Sequence, residues 1–311
     1  MEKNSKIYVA GHTGLVGSAL LRELKTQDYN NFVFKTSSEL DLRNQWATEN
    51  FFFSHKPEYV FLSAAKVGGI KPNSERPAEF IYDNLQIQNN VINSSYKFDV
   101  RKLVFFGSNC IYPKDCKQPM KEEYLLTGKI EETNEAYAIA KIAGLKMCQS
   151  YNKQYGVNFI TLIPASLFGP NDNFNLDSSH FTAALIRRFF EAKIKRLDDV
   201  IVWGTGNPRR EIMHVSDLVR ASIFLMNNYS SSEPINVGIK EDFTIREISD
   251  LVKRTIGFEG RIAFDSSKPD GVIQKLLDSS KIYSLGWKPR ISLDEGLTNT
   301  IEWYALNHNL L

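Results

Sequence analysis

Short apolar runs alternate with longer helical segments along the first half of the chain. The runs are bounded by glycine, proline or polar residues, and most are apolar at successive positions. Such strands are typical of a parallel sheet that helices cover on both faces. The pattern predicts an α/β fold with a doubly wound parallel sheet, with strands at residues 6–10, 32–36, 58–63, 102–106 and 157–163 and helices at 18–24, 43–54, 77–97 and 134–155.

The rhythm becomes less regular after about residue 170. A loop rich in Asn, Asp and Ser covers residues 171–179, a helix is predicted near 180–193, and short strands follow. Two later helices are marked by a hydroxyl and, three residues on, a carboxylate, at Thr244 with Glu247 and at Ser292 with Glu295. We expect one domain over residues 1–170, to which segments near 205–240 return, and a smaller C-terminal α/β domain over residues 171–311.

Three glycines separate the first predicted strand from its helix. Gly11, Gly14 and Gly17 would allow a tight turn, close backbone approach to a pyrophosphate and close packing of the helix on the strand. The anion would then lie at the helix N-terminus, which favours negative charge. An ordinary glycine turn is the alternative, but the position between strand and helix favours a Rossmann fold that binds a dinucleotide.

Ligands of such a fold bind beyond the carboxyl ends of the parallel strands. In this chain those ends carry Gly11, Ala64, Ser108 and Pro164. The residues expected to contact the cofactor near these ends are Gly11, Thr13, Gly14, Leu15, Val16, Gly17, Ala64, Ala65, Pro164, Ser166 and Leu167.

Tyr137 and Lys141 lie four residues apart in a predicted helix, so both side chains leave the same face. A nearby ammonium favours phenolate and would move the phenol pKa from its usual ~10 toward neutrality. Such a phenol exchanges a proton with a carbonyl or alcohol oxygen. Ser108 would face this helix and hydrogen-bond the same oxygen. A solvated pair on a helix surface is the alternative.

Composition excludes several classes of protein. The chain has 311 residues, of which 42% are hydrophobic. Its 38 basic and 36 acidic residues give a net charge of +2, which does not indicate nucleic-acid binding. Three cysteines without a CxxC pair favour reduced thiols, and no metal site is expected. Neither a secretion signal nor a membrane span is apparent. These features indicate a soluble cytoplasmic enzyme with no nucleic-acid or membrane partner.

The glycine turn, Ser108 and the Tyr137 and Lys141 pair together resemble the extended short-chain dehydrogenase/reductases, which act on nucleotide sugars. Longer stretches narrow the resemblance to the GDP-L-fucose synthase family, whose members are GDP-4-keto-6-deoxy-mannose 3,5-epimerases and 4-reductases. The similarity runs nearly end to end. It is carried by residues 64–70 (AAKVGGI), 108–114 (SNCIYPK), 117–120 (KQPM), 133–144 (TNEAYAIAKIAG) and 268–271 (KPDG).

The resemblance implies roles for five side chains. A ketone at C4 acidifies the protons on C3 and C5, so one base and one acid can invert those centres before hydride reaches C4. In the family the residues matching Cys110 and His180 act as base and acid, and Tyr137 protonates the O4 oxygen. Lys141 would also hold the nicotinamide ribose, and His180 would also contact the cofactor. If extended geometry continues past Ser108, Cys110 points to the same side. A small buried thiol and a helix-start histidine are the structural alternatives.

The end of the second strand bears on the choice of cofactor. A carboxylate there usually binds the ribose of NAD, but this chain has Lys35, Thr36 and Ser37 and no acid until Glu39. NADPH is therefore expected. Relatives carry arginines where this chain has Thr13 and Ser37, so phosphate binding should be weaker and discrimination against NADH slight. By resemblance, Asp41 and Leu42 lie under the adenine, with a structural turn as the alternative.

The resemblance also implies a binding surface for GDP. Cations suit a pyrophosphate, an aromatic side chain can flank a base or sugar, and a carboxylate can accept ribose or guanine protons. Arg187 adjoins Arg188, which leaves that assignment uncertain by one position. The residues expected to bind substrate are Arg188, Trp203, Arg210, Asp270 and Lys275.

Departures from the family pattern concentrate at the end of the fifth strand. Ala165, Ser166 and Phe168 stand where relatives have Thr, Asn and Tyr, and would remove polar groups close to the nicotinamide and sugar. Asn175 and Leu176 replace a His-Pro pair before His180. Sugar specificity is therefore the part of the resemblance that these residues leave open.

We expect an NADPH-dependent 4-reductase of a GDP-4-keto-mannose-type sugar, with 3,5-epimerase activity, that supplies surface-polysaccharide precursors. One alternative is a reductase alone, acting on a heptose or 3,6-dideoxy sugar. A UDP-sugar 4-epimerase and a non-catalytic dinucleotide sensor are further alternatives. The resemblance also implies a homodimer through the helices near 77–97 and 134–155, although their apolar faces would equally cover the sheet.

Overall fold

The computed structural model describes residues 1–268, 270–308 and 310. Pro269, within the 268–271 segment, therefore lies outside the described residues. Six parallel strands form the main sheet in the order β10-β5-β4-β3-β1-β2. The strands are β1 Ile7–Ala10, β2 Phe32–Val33, β3 Tyr59–Leu62, β4 Lys102–Phe106, β5 Phe159–Pro164, β6 Ser166–Phe168, β7 Asp199–Trp203, β8 Arg209–Arg210, β9 Ile212–His214, β10 Ile235–Val237, β11 Phe243–Thr244, β12 Arg261–Asp265 and β13 Gln274–Lys275.

Two groups of helices flank this sheet. Helix α4 packs against both α2 and α5, and α1 packs against α7. The strands between them are almost wholly buried, which explains their continuous apolar sequence. The predicted doubly wound parallel sheet is confirmed. The helices are α1 Leu15–Thr26, α2 Gln45–His55, α3 Ile70–Glu75, α4 Pro77–Lys97, α5 Glu135–Tyr155, α6 Phe181–Lys195, α7 Val215–Asn228, α8 Ile245–Ile256, α9 Ser280–Ser284 and α10 Leu293–Asn307.

The second half of the chain adds three small sheets and a second hydrophobic cluster. Strands β11, β8 and β13 form one sheet, β12 pairs with β7, and β6 pairs with β9. The second cluster joins side chains of α6, α8 and α10, including Phe189, Ile248 and Leu297. Strand β10 pairs with β5 in the main sheet. The domain division at residue 170 stays a prediction.

Element boundaries differ from the predictions where local polar bonds intervene. Strand β2 was expected over residues 32–36 but ends at Val33, because Thr36 turns to bind Glu39 through its N–H and its hydroxyl, both at 2.8 Å. The expected capping box at Thr244 and Glu247 is complete. At Ser292 the hydroxyl accepts the N–H of Glu295, which is one of the two hydrogen bonds of a capping box.

Within the described residues, no helix is both long and apolar enough to cross a lipid bilayer. The same residues contain no cluster of His, Cys, Asp or Glu that could hold a metal ion.

A buried lysine ties the main sheet to α7. Lys102, on β4, donates to the carbonyl oxygens of Leu225 at 2.9 Å, Met226 at 2.6 Å and Tyr229 at 2.5 Å. Carbonyls at a helix C-terminus have no partner within the helix, and a cation there also complements the helix dipole. The ammonium therefore uses all three donors on one helix end.

Replacing Lys102 by Met should lower the free energy of unfolding by about 3 kcal/mol, because it leaves buried carbonyls without donors. Urea denaturation monitored by circular dichroism would measure the change. Lys97→Met is the matched control, since the Lys97 ammonium pairs with Glu49 on the surface at 2.7 Å and should contribute less than about 1 kcal/mol. Equal losses in the two variants would contradict a structural role for the buried ammonium.

Candidate active site

The glycine turn after β1 follows the predicted logic position by position. Gly11 has φ of +81°, and a Cβ there would lie 2.7 Å from the backbone nitrogen of Ala64 at the end of β3. A Cβ at Gly17 would collide with the carbonyl oxygen of Gly11. At Gly14 the nearest protein atom to such a Cβ is 3.7 Å away, an ordinary contact. Protein packing thus requires Gly11 and Gly17, whereas Gly14 leaves open space at the start of α1, where an anion would lie.

The first residues of α1 are arranged for such an anion. Gly14 is the N-cap and provides no side-chain bond to the first N–H groups of the helix. Leu15 and Val16 follow as the first helical residues. Thr13 precedes the cap in the same turn. This geometry fits the pyrophosphate of a dinucleotide, and the contacts expected of these residues remain predictions.

The segment after β2 contains an anion of its own. Glu39 accepts from the Thr36 N–H and hydroxyl and lies 3.3 Å from the Lys35 ammonium. These bonds, led by the Thr36 N–H, lower the pKa of Glu39 to about 2. Sequence reasoning missed this contact, although Thr36 followed by Glu39 has the spacing of a capping box. Lys35 and Thr36 therefore lie where a cofactor phosphate is expected, together with exposed Ser37, but they already bind a carboxylate.

Asp41 and Leu42 form a turn before α2. Asp41 binds the guanidinium of Arg43 at 2.9 Å and accepts its N–H at 3.0 Å. The carbonyl of Leu42 accepts from the Asn90 amide at 2.8 Å, and its side chain is buried. These bonds alone explain the position of both residues, which agrees with the alternative that the segment is a structural turn. Contact with an adenine stays a prediction.

Ser108 lies at the carboxyl end of β4 and opens a 3₁₀ turn over Asn109–Ile111. Its hydroxyl accepts the N–H of Cys110 at 3.4 Å and lies 3.0 Å from the Cys110 sulfur. The expectation that extended geometry continues to Cys110 is wrong, because the serine hydroxyl draws the next N–H groups into a turn. The turn nevertheless brings the thiol against the serine, so the two groups share one site.

Tyr137 and Lys141 project from the same face of α5, as their spacing predicted. Lys141 is buried and its ammonium donates to the carbonyl oxygen of Phe106 at 2.9 Å, at the last residue of β4. The ammonium lies 5.8 Å from the centre of the Tyr137 ring. The bond to Phe106 fixes α5 beside the Ser108 turn.

Burial dominates the electrostatics of this pair. Burial raises the pKa of Tyr137 far above its usual range, Cys110 adds to the rise, and a hydrogen bond with Ser108 opposes it. Burial also lowers the pKa of Lys141 to about 8. The expected lowering of the phenol pKa by the ammonium is therefore wrong here, because burial disfavours the phenolate. A phenol of this kind holds its proton at neutral pH and is a donor.

His180 is the N-cap of α6, and its position depends on a distant loop. The N–H of Gly69 donates to the carbonyl of Ser178 at 3.1 Å, and a Cβ on Gly69 would lie 2.5 Å from the carbonyl oxygen of Ser179. The ammonium of Lys71 adds an ion pair with Asp177 at 3.0 Å. The sequence alone predicts no contact for this loop, whose residues contribute only to the family resemblance. Its paired glycines were the available signal that two backbones meet.

The ring of His180 is packed among protein atoms, but the residue is still accessible to solvent. Its ring is surrounded by protein on most sides, which lowers its pKa, yet the residue keeps an exposed surface. A neutral imidazole at neutral pH can accept or relay a proton. Phe80 of α4 lies edge to face with Tyr137 of α5, at 6.4 Å between ring centres, and a Cβ on Gly68 would lie 3.2 Å from the Phe80 ring, so Phe80 lies between this loop and α5.

Two of the expected GDP-binding cations are neighbours in the structure. Arg210 of β8 and Lys275 of β13 are partners in the parallel register of these strands. Burial lowers the pKa of the Arg210 guanidinium, and the charge of Asp270 opposes this effect. Asp270 accepts the N–H of Thr205 at 2.6 Å and its hydroxyl at 2.8 Å. These residues form one charged group at the edge of the small sheet.

Arg188 and Trp203 lie together on a second surface. Trp203 is 59% exposed at the end of β7, and the Arg188 guanidinium donates to the carbonyl of Ile201 on the same strand at 3.4 Å. Arg187 instead pairs with Glu191 at 2.7 Å. This engagement favours Arg188 over Arg187 as the arginine available to a substrate.

The departures at the end of β5 do not all face the site. Ser166 accepts from the Asn109 amide at 3.3 Å, so it lies beside the Ser108 turn. Phe168 is buried in the second hydrophobic cluster, 5.5 Å from the ring of His214. The expectation that Phe168 removes a polar group near the ligand is wrong, because its ring lies in a core. Ala165 is also buried, after Pro164 at the end of β5.

Comparison with known proteins identifies the family. Residues 7–238 match the NAD dependent epimerase/dehydratase family. The chain is 54% identical to GDP-L-fucose synthase 1 of Arabidopsis thaliana over 98% of its own length and 95% of that protein. The chain belongs to this epimerase/dehydratase family, within its GDP-L-fucose synthase group.

Two solved structures from Campylobacter jejuni are similar to this member of the family. The first is a GDP-6-OMe-4-keto-L-xylo-heptose reductase, with 42% identity, a TM-score of 0.94 and 99% coverage of both chains. The second is a GDP-mannoheptose C4 reductase with NADP bound, with 43% identity, a TM-score of 0.90 and coverage of 98% of this chain and 99% of that one.

Gly69→Ala should displace the segment before His180, because the added methyl group would lie too close to the Ser179 carbonyl. We expect the His180 pKa to rise toward its ordinary value as the ring gains water, as measured by NMR titration of the imidazole. Gly156→Ala is the control. Gly156 has a positive φ, of +69°, which makes alanine unfavourable there, but no atom lies within 4 Å of its missing Cβ. Both variants should lose stability, so an unchanged His180 titration in Gly69→Ala would exclude the positioning contact.

Proposed function

We propose that the chain catalyses NADPH-dependent reduction of the C4 ketone of a GDP-4-keto-6-deoxy-mannose-type sugar, coupled to epimerisation at C3 and C5. The observation that carries this proposal is the convergence of Ser108, Cys110, Tyr137 and Lys141 on one site at the end of β4. A reductase needs the phenol and the serine, whereas the thiol is an additional group that suits proton abstraction. Identity of 54% to a GDP-L-fucose synthase supports both activities.

Reduction requires a proton at O4 and a fixed ketone. The protonated phenol of Tyr137 donates to the developing alkoxide, and the Ser108 hydroxyl donates a hydrogen bond to the same oxygen. The reduced nicotinamide supplies the hydride to C4. Lys141 keeps α5 against β4 through Phe106, and its charge stabilises the phenolate that forms.

Epimerisation requires a base and an acid on opposite faces of the sugar ring. Cys110 removes the proton from C3 or C5, which the neighbouring ketone acidifies, and the electrons move into an enolate. His180 exchanges a proton with the other face, for which its lowered pKa and exposed edge suit it. The two groups come from different elements, the Ser108 turn and the start of α6.

The cofactor is NADPH, and the enzyme prefers it only weakly over NADH. The pyrophosphate fits above Gly14, and the 2′-phosphate is expected near Lys35, Thr36 and Ser37. Thr13 and Ser37 provide hydroxyls in place of the guanidinium groups of relatives, and Lys35 already pairs with Glu39. Hydroxyls bind a phosphate less strongly than a bidentate arginine does. An NADP-bound relative at 43% identity supports the cofactor assignment.

The nucleotide end of the substrate is held by the charged group on β8 and β13. Arg210 and Lys275 provide two adjacent positive charges for a pyrophosphate, and Asp270 provides acceptors for ribose or guanine protons. Arg188 and exposed Trp203, on the second surface of the C-terminal half, provide a further cation and an aromatic face. We assign residues 171–311 mainly to this role and residues 1–170 to the cofactor.

The principal alternative is a C4 reductase that acts alone on a different GDP-4-keto sugar. Two heptose reductases at 42% and 43% identity favour this alternative, and Ser166 changes the edge of the sugar site. An NMR product assay with several GDP-4-keto sugars in deuterated water distinguishes the two functions. Net oxidation of NADPH in that assay would also exclude a UDP-sugar 4-epimerase and a non-catalytic sensor.

We also propose a homodimer that works in the cytoplasm on precursors of surface polysaccharides. Helices α4 and α5 pack side by side, and their outer faces expose Tyr82, Ile139 and Tyr155. Large apolar side chains exposed along the outer faces of two helices are typical of subunit interfaces. Sedimentation of the purified protein would measure the oligomeric state.

Tyr137→Phe should reduce the rate of NADPH oxidation with the ketone substrate at least ~100-fold, because the variant has no proton to give to O4. Exchange of C3 and C5 protons with deuterated water should continue. The rate is measured from the nicotinamide absorbance and the exchange by NMR. Tyr124→Phe is the control, since that phenol lies outside the site. Full reductase turnover in Tyr137→Phe would reject the assigned donor.

Cys110→Ser should suppress deuterium incorporation at C3 and C5 by about 100-fold, because a serine hydroxyl is a much weaker acid than a thiol and rarely ionises. NMR in deuterated water measures the incorporation, with Cys116→Ser as the control at a half-buried thiol outside the Ser108 turn. Wild-type protein that incorporates no deuterium would make the chain a reductase only.

A further inference from the structure

Lys275 lies beside the catalytic thiol as well as beside Arg210. Lys275 and Cys110 line the same narrow cleft, together with Gln118 and Glu131. The side chain of Lys275 is half-buried, its burial lowers the pKa of the ammonium, and no ion pair joins that ammonium to a carboxylate among the described residues. Removing an ammonium from water costs free energy when no carboxylate pairs with it. A nearby group that can become an anion, such as a thiol, therefore interacts favourably with it.

Backbone bonds hold this arrangement in place. The N–H of Leu276 donates to the Gln118 side chain at 2.9 Å, and the N–H of Met120 donates to the Leu276 carbonyl at 2.7 Å. The segment that follows Cys110 is therefore clipped to the end of β13. This clip makes the approach of Lys275 to the thiol a property of the fold rather than of one flexible side chain.

Other charged groups near the thiol are already engaged or act less strongly. Lys141 donates to the Phe106 carbonyl, and Tyr137 is neutral. Glu131 pairs with Lys114 at 3.6 Å, and Arg210 donates to the Arg209 carbonyl at 2.8 Å.

Among these charges, Lys275 has the largest effect on the Cys110 sulfur. Burial raises the pKa of the thiol, and the ammonium of Lys275 is the first of the groups that oppose the rise, ahead of Ser108 and Lys141.

We propose that Lys275 is a positioning residue that stabilises the thiolate of Cys110 and so makes this thiol the base for epimerisation. In the reaction the proton passes from C3 or C5 to the Cys110 sulfur, and the C–H electrons pass into the enolate of the C4 ketone. Lys275 keeps its own protons throughout and acts only by charge. The role of the thiolate as a base rests on the proposed function, but the charge pairing itself does not.

The pairing is tested by alkylation of the protein with iodoacetamide between pH 6 and about 10.5, a range that spans the usual thiol pKa near 8.5. Peptide mass spectrometry follows Cys110 separately from Cys116 and Cys148, because Lys114 provides a cleavage site between the first two. Lys275→Met should shift the midpoint for Cys110 upward by about one pH unit, a tenfold loss of thiolate below the midpoint. Lys275→Arg should restore most of the shift.

Two controls separate this effect from general damage. Lys129→Met removes an exposed lysine outside the cleft and should leave the Cys110 midpoint unchanged. The midpoint of Cys116 should stay constant in every variant. An unchanged Cys110 midpoint in Lys275→Met, or a shift that Lys275→Arg does not reverse, would overturn the proposal even if the enzyme epimerises its substrate.

Deuterium exchange then tests the catalytic consequence. Lys275→Met should slow exchange at C3 and C5 at saturating substrate, whereas a lysine that only binds pyrophosphate would change KM and leave the saturated rate intact. A shifted alkylation midpoint in a protein whose wild type shows no exchange would support the pairing and refute the proposed epimerisation. The two failures are therefore distinguishable.

Discussion

The hydrogen bond from the Lys141 ammonium to the Phe106 carbonyl sets the geometry on which the site depends. It joins α5, which carries Tyr137, to the last residue of β4, shortly before the turn that contains Ser108 and Cys110. Gly144, one turn further along α5, makes this approach possible, because a Cβ there would collide with the ring of Phe105. The distance between phenol, serine and thiol thus follows from helix-on-strand packing.

The same close packing determines the electrostatic character of the site. Cys110 and Lys141 are buried and Tyr137 is half-buried, and in each case burial is the first cause of the altered pKa. Burial disfavours every charged form, so the phenol and the thiol are neutral unless a specific cation offsets the effect. The arrangement suits a donor at the phenol without further help, whereas a base at the thiol needs a neighbouring charge. Proton donation and proton abstraction therefore make different demands on one small volume.

Much of this organisation was predictable from periodicity and local motifs. The parallel sheet, the glycine turn and the common face of Tyr137 and Lys141 depend on short-range patterns, which a single sequence displays directly. The predictions failed where a local polar bond overrode the pattern, as at Thr36 with Glu39, or at the Ser108 turn. The sign of the Tyr137 pKa shift was also missed, because desolvation depends on what surrounds a residue and not on its sequence neighbours.

Contacts between distant segments were beyond the reach of sequence reasoning. Gly69 and Ser179 are more than a hundred positions apart, and so are Gln118 and Leu276. Nothing in the local composition of either member of a pair specifies its partner. The glycine and polar residues of these segments are evident in the sequence, but only the fold shows which distant residue each of them contacts.

The turn after β2, where we propose that the 2′-phosphate of the cofactor binds, already holds an anion. A 2′-phosphate cannot simply fill an empty cradle, since the Glu39 carboxylate occupies the Thr36 donors and the Lys35 charge. Entry is an exchange of one negative group for another, and the net gain is the difference between two similar interactions. With a pKa of about 2, Glu39 remains a competitor across the whole physiological pH range. A resident carboxylate of this kind limits how far a nucleotide can be selected by its phosphate, whatever the number of hydroxyls around it.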